Sequence, residues 1–214
     1  MKGFYKALHR VFAAPLRWLF NVKIVGTENE PCPGQPVLVC SNHISAWDPV
    51  WLCAVLKRRK PHIMAKAELF KIPVLNCIIR FFGAYPVERG GADVSSLRHT
   101  VELLKQGNCV GMFPQGTRCS GKDPAATSVK SGAGMIAVRS CADVLPIHIY
   151  AKNYKHTPFG RKTIVIGKPI PSKVIIGMHE AKMTYHDISQ YIFDKVCELK
   201  NDVPKNEKGN SSNE

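Results

Sequence analysis

The chain has 214 residues, of which 45% are hydrophobic, and this composition excludes a disordered or low-complexity protein. Lysine and arginine number 30 against 16 aspartates and glutamates, which gives a formal net charge of +14. A surplus of this size indicates an anionic partner, whether nucleic acid, an anionic membrane or a phosphorylated substrate. No apolar run approaches the ~20 residues of a membrane-spanning helix. Pro15 and Arg17 interrupt the N-terminal apolar region, so no signal peptide is predicted.

The eight cysteines show no paired C-x-x-C spacing. Several of them, such as Cys40 and Cys109, lie in apolar runs, where a free thiol behaves as a small hydrophobic side chain. We therefore predict reduced thiols in a cytosolic protein, with neither a disulfide framework nor a metal site.

Residues 1–20 are predicted to form an amphipathic basic helix, which Pro15 kinks or interrupts. Large apolar side chains recur every four residues, at Phe4, Leu8, Phe12, Leu16 and Phe20. Lys2, Lys6, Arg10 and Arg17 supply positive charge, and Trp18 suits a membrane interface. The segment either lies in a membrane surface or packs its stripe on the domain. The aromatic stripe and the basic flank favour the membrane.

Beyond residue 20, short apolar segments alternate with helical ones. Strands are predicted at residues 22–25, 37–40, 62–65, 84–87, 108–113, 144–150 and 163–166. Helices are predicted at about residues 49–56, 69–82, 93–105, 131–139 and 185–200. Strands interleaved with helices predict an α/β fold. We divide the chain into the amphipathic segment 1–20, one domain at 21–200 and a disordered polar tail at 201–214.

The sequence N-H-I-S-A-W-D at residues 42–48 follows a predicted buried strand. Histidine exchanges a proton near neutral pH, so His43 is a candidate general base. Asp48 is placed to orient its imidazole and stabilise the charged form. No Ser or Cys stands out as a nucleophile, so the pair would activate a substrate hydroxyl directly. The alternative is structural, because Asp48 before Pro49 is also an ordinary helix N-cap and His43 could be a buried, satisfied histidine.

A second polar stretch, F-P-Q-G-T-R at residues 113–118, follows another predicted strand. Gly116 lets the backbone approach a ligand closely, and the planar fork of Arg118 suits phosphate oxygens. Residues 131–134 then open a glycine-rich helix. Its free N–H groups could bind an anion, or its glycines could allow close helix packing.

Four stretches in this order, residues 42–48, 87–89, 113–118 and 144–147, resemble the four motifs of the glycerolipid acyltransferases. The similarity is greatest to the bacterial 1-acyl-sn-glycerol-3-phosphate acyltransferases, the PlsC family. It covers about residues 20–170 and includes the segment 66–73 after the first motif. The resemblance implies a glycerolphosphate acyltransferase-like fold, with a central mixed, largely parallel sheet flanked by helices and an N-terminal amphipathic helical segment.

The resemblance also implies the reaction. A fatty acyl group would pass from acyl-CoA or acyl-carrier protein, as co-substrate, to the free hydroxyl of lysophosphatidic acid, giving phosphatidic acid without a cofactor. By the same resemblance His43 is the general base and Asp48 orients it. Arg89 and Arg118, with Lys66, would bind the acceptor phosphate.

The third motif departs from the family pattern, which usually has Glu where this chain has Gln115. Gln loses the charge and gains a donor, so a general-base role at this position is not expected. A hydrogen bond to the acceptor glycerol or to Arg118 is compatible with the change, and so is a different acceptor. Gly116 and Thr117 would shape the substrate loop.

The expected partners are an anionic membrane surface, lysophosphatidic acid, and acyl-CoA or acyl-carrier protein. The expected location is peripheral, at the cytoplasmic face of the cell membrane. Within the class, the alternatives are acylation of glycerol-3-phosphate or of another lysolipid. From another class, a non-enzymatic basic lipid- or nucleic-acid-binding protein would explain the charge. No zinc-finger, RNP or G-x-S-x-G pattern occurs, so neither nucleic-acid binding nor a serine hydrolase is favoured.

Overall fold

A seven-stranded sheet forms the centre of the molecule. The computed structural model describes residues 14–81, 83–87, 94–157 and 159–204. The strands are β1 (Val22–Val25), β2 (Val37–Ser41), β3 (Pro61–Lys66), β4 (Ala84–Val87), β5 (Cys109–Met112), β6 (Asp143–Ala151) and β7 (Lys162–Ile166). Their order is β1-β7-β6-β2-β5-β3-β4, and every neighbouring pair is parallel except β6 and β7. The predicted mixed, largely parallel sheet is therefore confirmed.

Helices connect most of the strands. They are α1 (Ala14–Leu19), α2 (Asp48–Val55), α3 (Pro73–Phe81), α4 (Val94–Lys105), α5 (Gly132–Ser140), α6 (Ser172–Glu180) and α7 (Tyr185–Glu198). Parallel strands need crossover connections, and α2, α3 and α4 supply three of them. The predicted α/β class is confirmed.

Strand β2 shows why both faces of the sheet are covered. All five of its residues are buried. Val37 and Val39 belong to one apolar cluster, together with Trp51 of α2. Leu38 and Cys40 belong to the other, on the face where α5 and α7 pack. Successive strand side chains point to opposite faces, so a strand buried on both sides is apolar throughout.

The glycine-rich start of α5 serves close packing. A Cβ atom added at Gly134 would lie 2.3 Å from the main-chain oxygen of Tyr185 in α7. The N–H of Gly134 also donates to the Ser189 hydroxyl at 2.8 Å. Of the two interpretations of this glycine-rich start, the contacts at Gly134 therefore support helix packing.

Three elements differ from the sequence-based prediction. Helix α6 was not predicted, because the β-branched run Val174-Ile175-Ile176 before Gly177 is a poor helix pattern. Helix α3 begins at Pro73 rather than near Leu69, and a 3₁₀ helix, Ala67–Lys71, precedes it. The predicted tail at 201–214 begins too early, because Val203 packs into the core at 2% exposure.

Parts of two predictions fall on residues that the structure does not describe. Residues 1–13, most of the predicted amphipathic segment, lie outside the described ranges, as do residues 205–214 of the tail. Where the segment enters the described part of the chain, α1 runs to Leu19 and Phe20 packs against the core. None of the helices in the described ranges combines the length and apolarity that crossing a bilayer takes.

Candidate active site

The carboxyl end of β2 delivers a buried His–Asp pair. Nδ1 of His43 lies 2.7 Å from Oδ2 of Asp48, and the two residues are 7% and 1% exposed. The same Oδ2 accepts the main-chain N–H groups of Ile44 at 2.6 Å and Ser45 at 2.7 Å. Asp48 is the first residue of α2, and these contacts aim its carboxylate back at the turn. The pair's geometry therefore matches an oriented histidine base and not an N-cap aspartate.

Residues of the third motif hold His43 in place, because β5 is the parallel neighbour of β2 and both strands end at one edge of the sheet. The ring of Phe113 stacks on the imidazole, with centroids 4.1 Å apart and planes 16° apart. The N–H of His43 donates to Oε1 of Gln115 at 2.7 Å. The carbonyl of His43 accepts the N–H of Cys119 at 2.8 Å. Both main-chain groups of the candidate base are thus fixed by this loop.

Gln115 uses both ends of its side-chain amide within the protein. Besides Oε1, which accepts from His43, its Nε2 donates to the Thr127 hydroxyl at 2.7 Å. That hydroxyl donates in turn to the carbonyl of Pro124 at 2.6 Å. Gln115 is 4% exposed. Gln115 therefore holds this loop against His43 and Thr127, and this structural role explains the departure from glutamate.

Asn42 anchors the other side of the turn. Its Nδ2 donates to the carbonyl of Ile149 at 2.9 Å, and its Oδ1 accepts the N–H of Ile149 at 2.7 Å. The side-chain amide thereby continues the pairing of β2 with β6 after β2 has ended. Neither Asn42 nor Thr127 was predicted as a site residue. An amide directly after a buried strand was a usable signal for Asn42, whereas nothing in the sequence marks Thr127.

A small pocket opens beside His43. It encloses about 180 Å³ and is lined by His43, Met64, Met112, Phe113, Pro114, Gly116, Lys130 and Gly132. Gly116 has a φ of 67°, and a Cβ there would lie 3.0 Å from Cδ of Lys130. Glycine thus satisfies both the backbone turn and the close approach of Lys130. Lys130 was not predicted as a site residue, yet it brings a positive charge to the wall of this pocket.

Neither Lys66 nor Arg118, two of the predicted phosphate ligands, lines this pocket. Lys66 ends β3 two residues after the lining residue Met64, and its Nζ lies 2.9 Å from Oε1 of Glu68. Thr117 and Arg118 are exposed in the loop that follows Gly116. Arg89 falls outside the described residues. The structure therefore brings His43, Asp48, Gln115 and Gly116 together, and it leaves Lys66 and Arg118 exposed outside the pocket lining.

An aromatic cluster includes the two tryptophans nearest to Asp48, namely Trp47 just before it and Trp51 one turn later in α2. Phe20 contacts the rings of Trp47, Trp51 and Phe159, with centroids 5.5–5.8 Å apart. Phe159 is 70% exposed and Trp18, in α1, is 85% exposed. Four of the exposed apolar side chains, Trp18, Leu19, Trp47 and Phe159, are here called the aromatic rim. Exposed apolar side chains of this size indicate a surface that meets an apolar partner.

A larger and more open cleft, of about 570 Å³, runs along β1 past Arg17, Lys23 and Lys57. Neither His43 nor Asp48 lines it, so we place the chemistry at the smaller pocket. Within the described residues, no group of His, Cys, Asp and Glu side chains is arranged to hold a metal ion.

The chemistry of the site follows from what holds the imidazole. Asp48 engages Nδ1, which leaves Nε2 as the nitrogen available to a substrate. No Ser or Cys side chain hydrogen-bonds to the His43 ring in the described part of the chain. Such a site suits an enzyme that removes a proton from a hydroxyl of its substrate, without a protein nucleophile.

Known proteins are similar to this chain in sequence and in fold. The model of the Acyltransferase family matches residues 21–150. The 1-acyl-sn-glycerol-3-phosphate acyltransferase of Bacillus subtilis is 32% identical over 153 residues, which are 70% of this chain and 74% of that protein. The enzyme of the same name from Streptococcus pneumoniae is 29% identical over 128 residues, 59% of this chain and 46% of that protein. This chain therefore spans about half the length of the Streptococcus relative.

A solved structure agrees with these matches. The crystal structure of the 1-acyl-sn-glycerophosphate (LPA) acyltransferase PlsC from Thermotoga maritima superposes with a TM-score of 0.71 at 27% identity. The match covers 95% of this chain and 82% of that one. The chain belongs to the Acyltransferase family and, within it, to the group of the 1-acyl-sn-glycerol-3-phosphate acyltransferases.

Proposed function

We propose that the protein transfers a fatty acyl group from an acyl thioester to the free hydroxyl of lysophosphatidic acid, giving phosphatidic acid. The observation that carries this proposal is the buried His43–Asp48 pair, 2.7 Å apart and open to a pocket, in a chain similar to enzymes named for this acceptor. The acyl donor is acyl-CoA or acyl-carrier protein, since both present the same thioester.

The transferred proton passes through His43. Nε2 takes the proton of the acceptor hydroxyl as its oxygen attacks the thioester carbonyl carbon. Asp48 stabilises the resulting imidazolium, which Phe113 and the loop contacts keep in place. The tetrahedral intermediate then breaks its carbon–sulfur bond, and the leaving thiolate receives the proton from Nε2. The ester forms, a thiol is released, and His43 is neutral again.

Positive charge near the pocket supports a phosphorylated acceptor. Arg118 and Lys66 are exposed, and each follows a lining residue, Gly116 or Met64, by two positions. Arg89 belongs to the motif between them in the sequence. We propose that these three residues bind the acceptor phosphate, with Arg118 as a bidentate ligand. Gly116 and Thr117 shape the loop that carries Arg118. Lys130, in the pocket wall, adds a fourth charge.

The aromatic rim supports the proposal that the protein acts at a membrane surface. Tryptophan and phenylalanine suit the interface between headgroups and acyl chains, and the net charge of +14 favours an anionic leaflet. We propose that the protein binds the cytoplasmic face of the cell membrane peripherally. The basic segment 1–20 and the rim would then bring His43 to an acceptor in the bilayer.

Gln115 bears on the choice of acceptor. Glycerol-3-phosphate or another lysolipid would be the alternative if this residue contacted the substrate. Gln115 is buried, and both polar atoms of its amide already hydrogen-bond within the protein. The departure from glutamate therefore does not require a different acceptor.

The deciding experiment is an assay of the purified full chain. Acyl-CoA and acyl-carrier protein are each mixed with vesicles containing lysophosphatidic acid, and thiol release and phosphatidic acid are measured together. Glycerol-3-phosphate and lysophosphatidylcholine are the comparison acceptors. Equimolar thiol and phosphatidic acid support the proposal. Thiol release without an acylated product would indicate a thioesterase and overturn it.

A further inference from the structure

Asp48 uses one carboxylate oxygen for all three of its hydrogen bonds. Oδ2 accepts from His43, Ile44 and Ser45, whereas Oδ1 is buried and has no hydrogen-bond partner among the described residues. A buried carboxylate oxygen without a donor is unfavourable. Oδ1 of Asp48 therefore needs a hydrogen-bond donor.

Trp51 presents an unused donor on the same side of α2. It lies three residues after Asp48, so the two side chains are neighbours on the helix surface. The indole Nε1 of Trp51 is buried and also lacks a partner within the described residues. Trp51 is 1% exposed, so bulk water does not satisfy this group.

His156 contributes a third unpaired polar atom, the buried Nδ1. Its ring lies 6.3 Å from that of Trp47, which in turn lies 6.1 Å from that of Trp51. Burial, and then the charge of Lys162, lower the pKa of His156, and the nearby Asp48 carboxylate opposes this by raising it. The lowered pKa keeps the His156 ring neutral at pH 7, so the ring can both donate and accept a hydrogen bond.

Lys162 fixes the loop that carries His156. Its buried Nζ donates to the carbonyls of Thr157 at 2.9 Å and Gly160 at 2.7 Å, and lies 5.8 Å from the centre of the Trp51 ring. Burial lowers the pKa of Lys162. The loop between β6 and β7 is thereby held against the helix that bears Asp48 and Trp51.

We propose that Asp48 Oδ1, Trp51 Nε1 and His156 Nδ1 together bind one buried water molecule, through which Trp51 and His156 act as positioning residues for the His43–Asp48 pair. The donor and acceptor count matches. The indole N–H donates to the water, and the water donates one hydrogen to the carboxylate and one to the neutral imidazole. Buried waters typically make about three hydrogen bonds of this kind. This inference rests on the proposed role of His43 as the base.

The water would fix the second oxygen of the carboxylate and thereby the plane in which Oδ2 meets Nδ1. A misplaced general base loses rate more than substrate affinity. The expected signature of losing the water is a lower kcat with little change in KM.

The first test is a crystal structure of the full-length wild-type protein at a resolution that shows ordered solvent. The expected result is a water within hydrogen-bond distance of all three atoms, which disappears in Trp51→Phe. Phenylalanine keeps an aromatic ring and removes the N–H, although its side chain is smaller than that of tryptophan. Direct contacts among the three side chains, with no water between them, would overturn the proposal.

The second test is kinetic. Losing one hydrogen bond to a charged group corresponds to a fall in kcat of about ten- to a hundredfold, which we expect for Trp51→Phe and His156→Leu. His156→Asn, whose amide reaches the place of Nδ1, should retain most of the activity. Lys155→Ala, the exposed neighbouring position, is the matched control and should match the wild type, and thermal unfolding checks that each variant is folded.

A double-mutant cycle separates positioning from a merely structural role. In an Asp48→Asn background, His156→Leu should cause no further loss, because the carboxylate that it orients is gone. Additive losses would reject the proposal. If His43→Ala retained wild-type activity, the proposed function of His43 would fail first. If His43→Ala is inactive while Trp51→Phe and His156→Leu are fully active, only the positioning role is refuted.

Discussion

The side-chain oxygen of Gln115 accepts a hydrogen bond from the main-chain N–H of His43 at 2.7 Å, across 72 positions of sequence. The contact joins the first and third motifs directly, since His43 follows β2 and Gln115 follows β5. It fixes the backbone of the candidate base instead of its ring. A residue that the family pattern would assign to substrate contact is, in this chain, part of the support for the histidine.

Gln115→Glu should therefore be tolerated. A carboxylate still accepts from His43, and the Thr127 hydroxyl can turn to donate to it at the expense of Pro124. We expect activity within about tenfold of the wild type, equivalent to roughly 1.4 kcal/mol. Gln115→Leu should lose more activity, because it leaves the His43 N–H buried and unpaired, which costs about 1–3 kcal/mol.

Steady-state kinetics on several lysolipids would compare the Gln115→Glu and Gln115→Leu variants. A changed ranking of acceptors in Gln115→Glu would show that residue 115 contacts the substrate.

Removing the imidazole of His43 should abolish turnover in a protein that remains folded. General base catalysis is worth about 10²–10⁴-fold, and more is lost here because the same group protonates the leaving thiolate. Asp48→Asn should be nearly as damaging, since an amide would no longer favour the required tautomer. Thiol release in the steady state, with circular dichroism as the folding control, measures both. A folded His43→Ala protein with half the wild-type kcat would contradict the mechanism.

Arg118→Lys keeps the positive charge and loses the planar fork. We expect a higher KM for lysophosphatidic acid and little change in KM for the acyl donor. Lys122→Arg, an exposed basic position further along the same loop, is the matched control and should change neither constant. If the donor KM rose instead, Arg118 would belong to the donor site.

His148 makes folding sensitive to acid. It is fully buried, its Nδ1 lies 2.9 Å from the Val196 carbonyl, and burial lowers its pKa to about 4. An unfolded histidine titrates near 6.5, so between these values the unfolded chain binds more protons. The free energy of unfolding should therefore fall as the pH decreases from about 6.5 to 4, by on the order of 3 kcal/mol from this residue.

Urea unfolding at several pH values measures this effect. His148→Asn, which can still donate to Val196, should show a shallower dependence on pH than the wild type. The exposed His179→Asn is the control and should leave the slope unchanged. Burial also lowers the pKa of His62 and His156, and both remain in each variant, so the difference in slope belongs to His148. Equal slopes in the wild type and His148→Asn would contradict the prediction.

The predicted membrane binding of the N-terminal segment is tested by a deletion that leaves the core intact. Phe20 packs on Trp51 with centroids 5.5 Å apart, so removal of residues 1–20 would damage the domain. Deleting residues 1–13 should leave a folded protein that sediments less with anionic vesicles and loses more activity on vesicle-bound acceptor than on a short-chain soluble one. High salt should weaken wild-type binding only partly, because the apolar contribution is not screened.

Phe159→Ser in the full chain tests the aromatic rim separately. Binding that survives the deletion and is lost in Phe159→Ser would place the anchor in the rim.

The sequence by itself determined the positions of the strands and of most helices, because their apolar periodicity is local. It also determined the His43–Asp48 pair, whose five-residue spacing lets the turn after β2 close on the start of α2. Helix α6 escaped prediction since its β-branched residues favour strands locally and only packing in the folded protein makes them helical.

Only the tertiary structure decided what surrounds the pair. Strand β2 lies between β5 and β6, and this order brings Gln115 and Phe113 to one side of the turn and Ile149 to the other. The same order sets the loop of His156 beside Trp51. Sequence periodicity carries no record of which strands become neighbours, because that depends on burying the whole sheet at once. The residues that hold the His43–Asp48 pair in place could therefore be identified only from the folded structure.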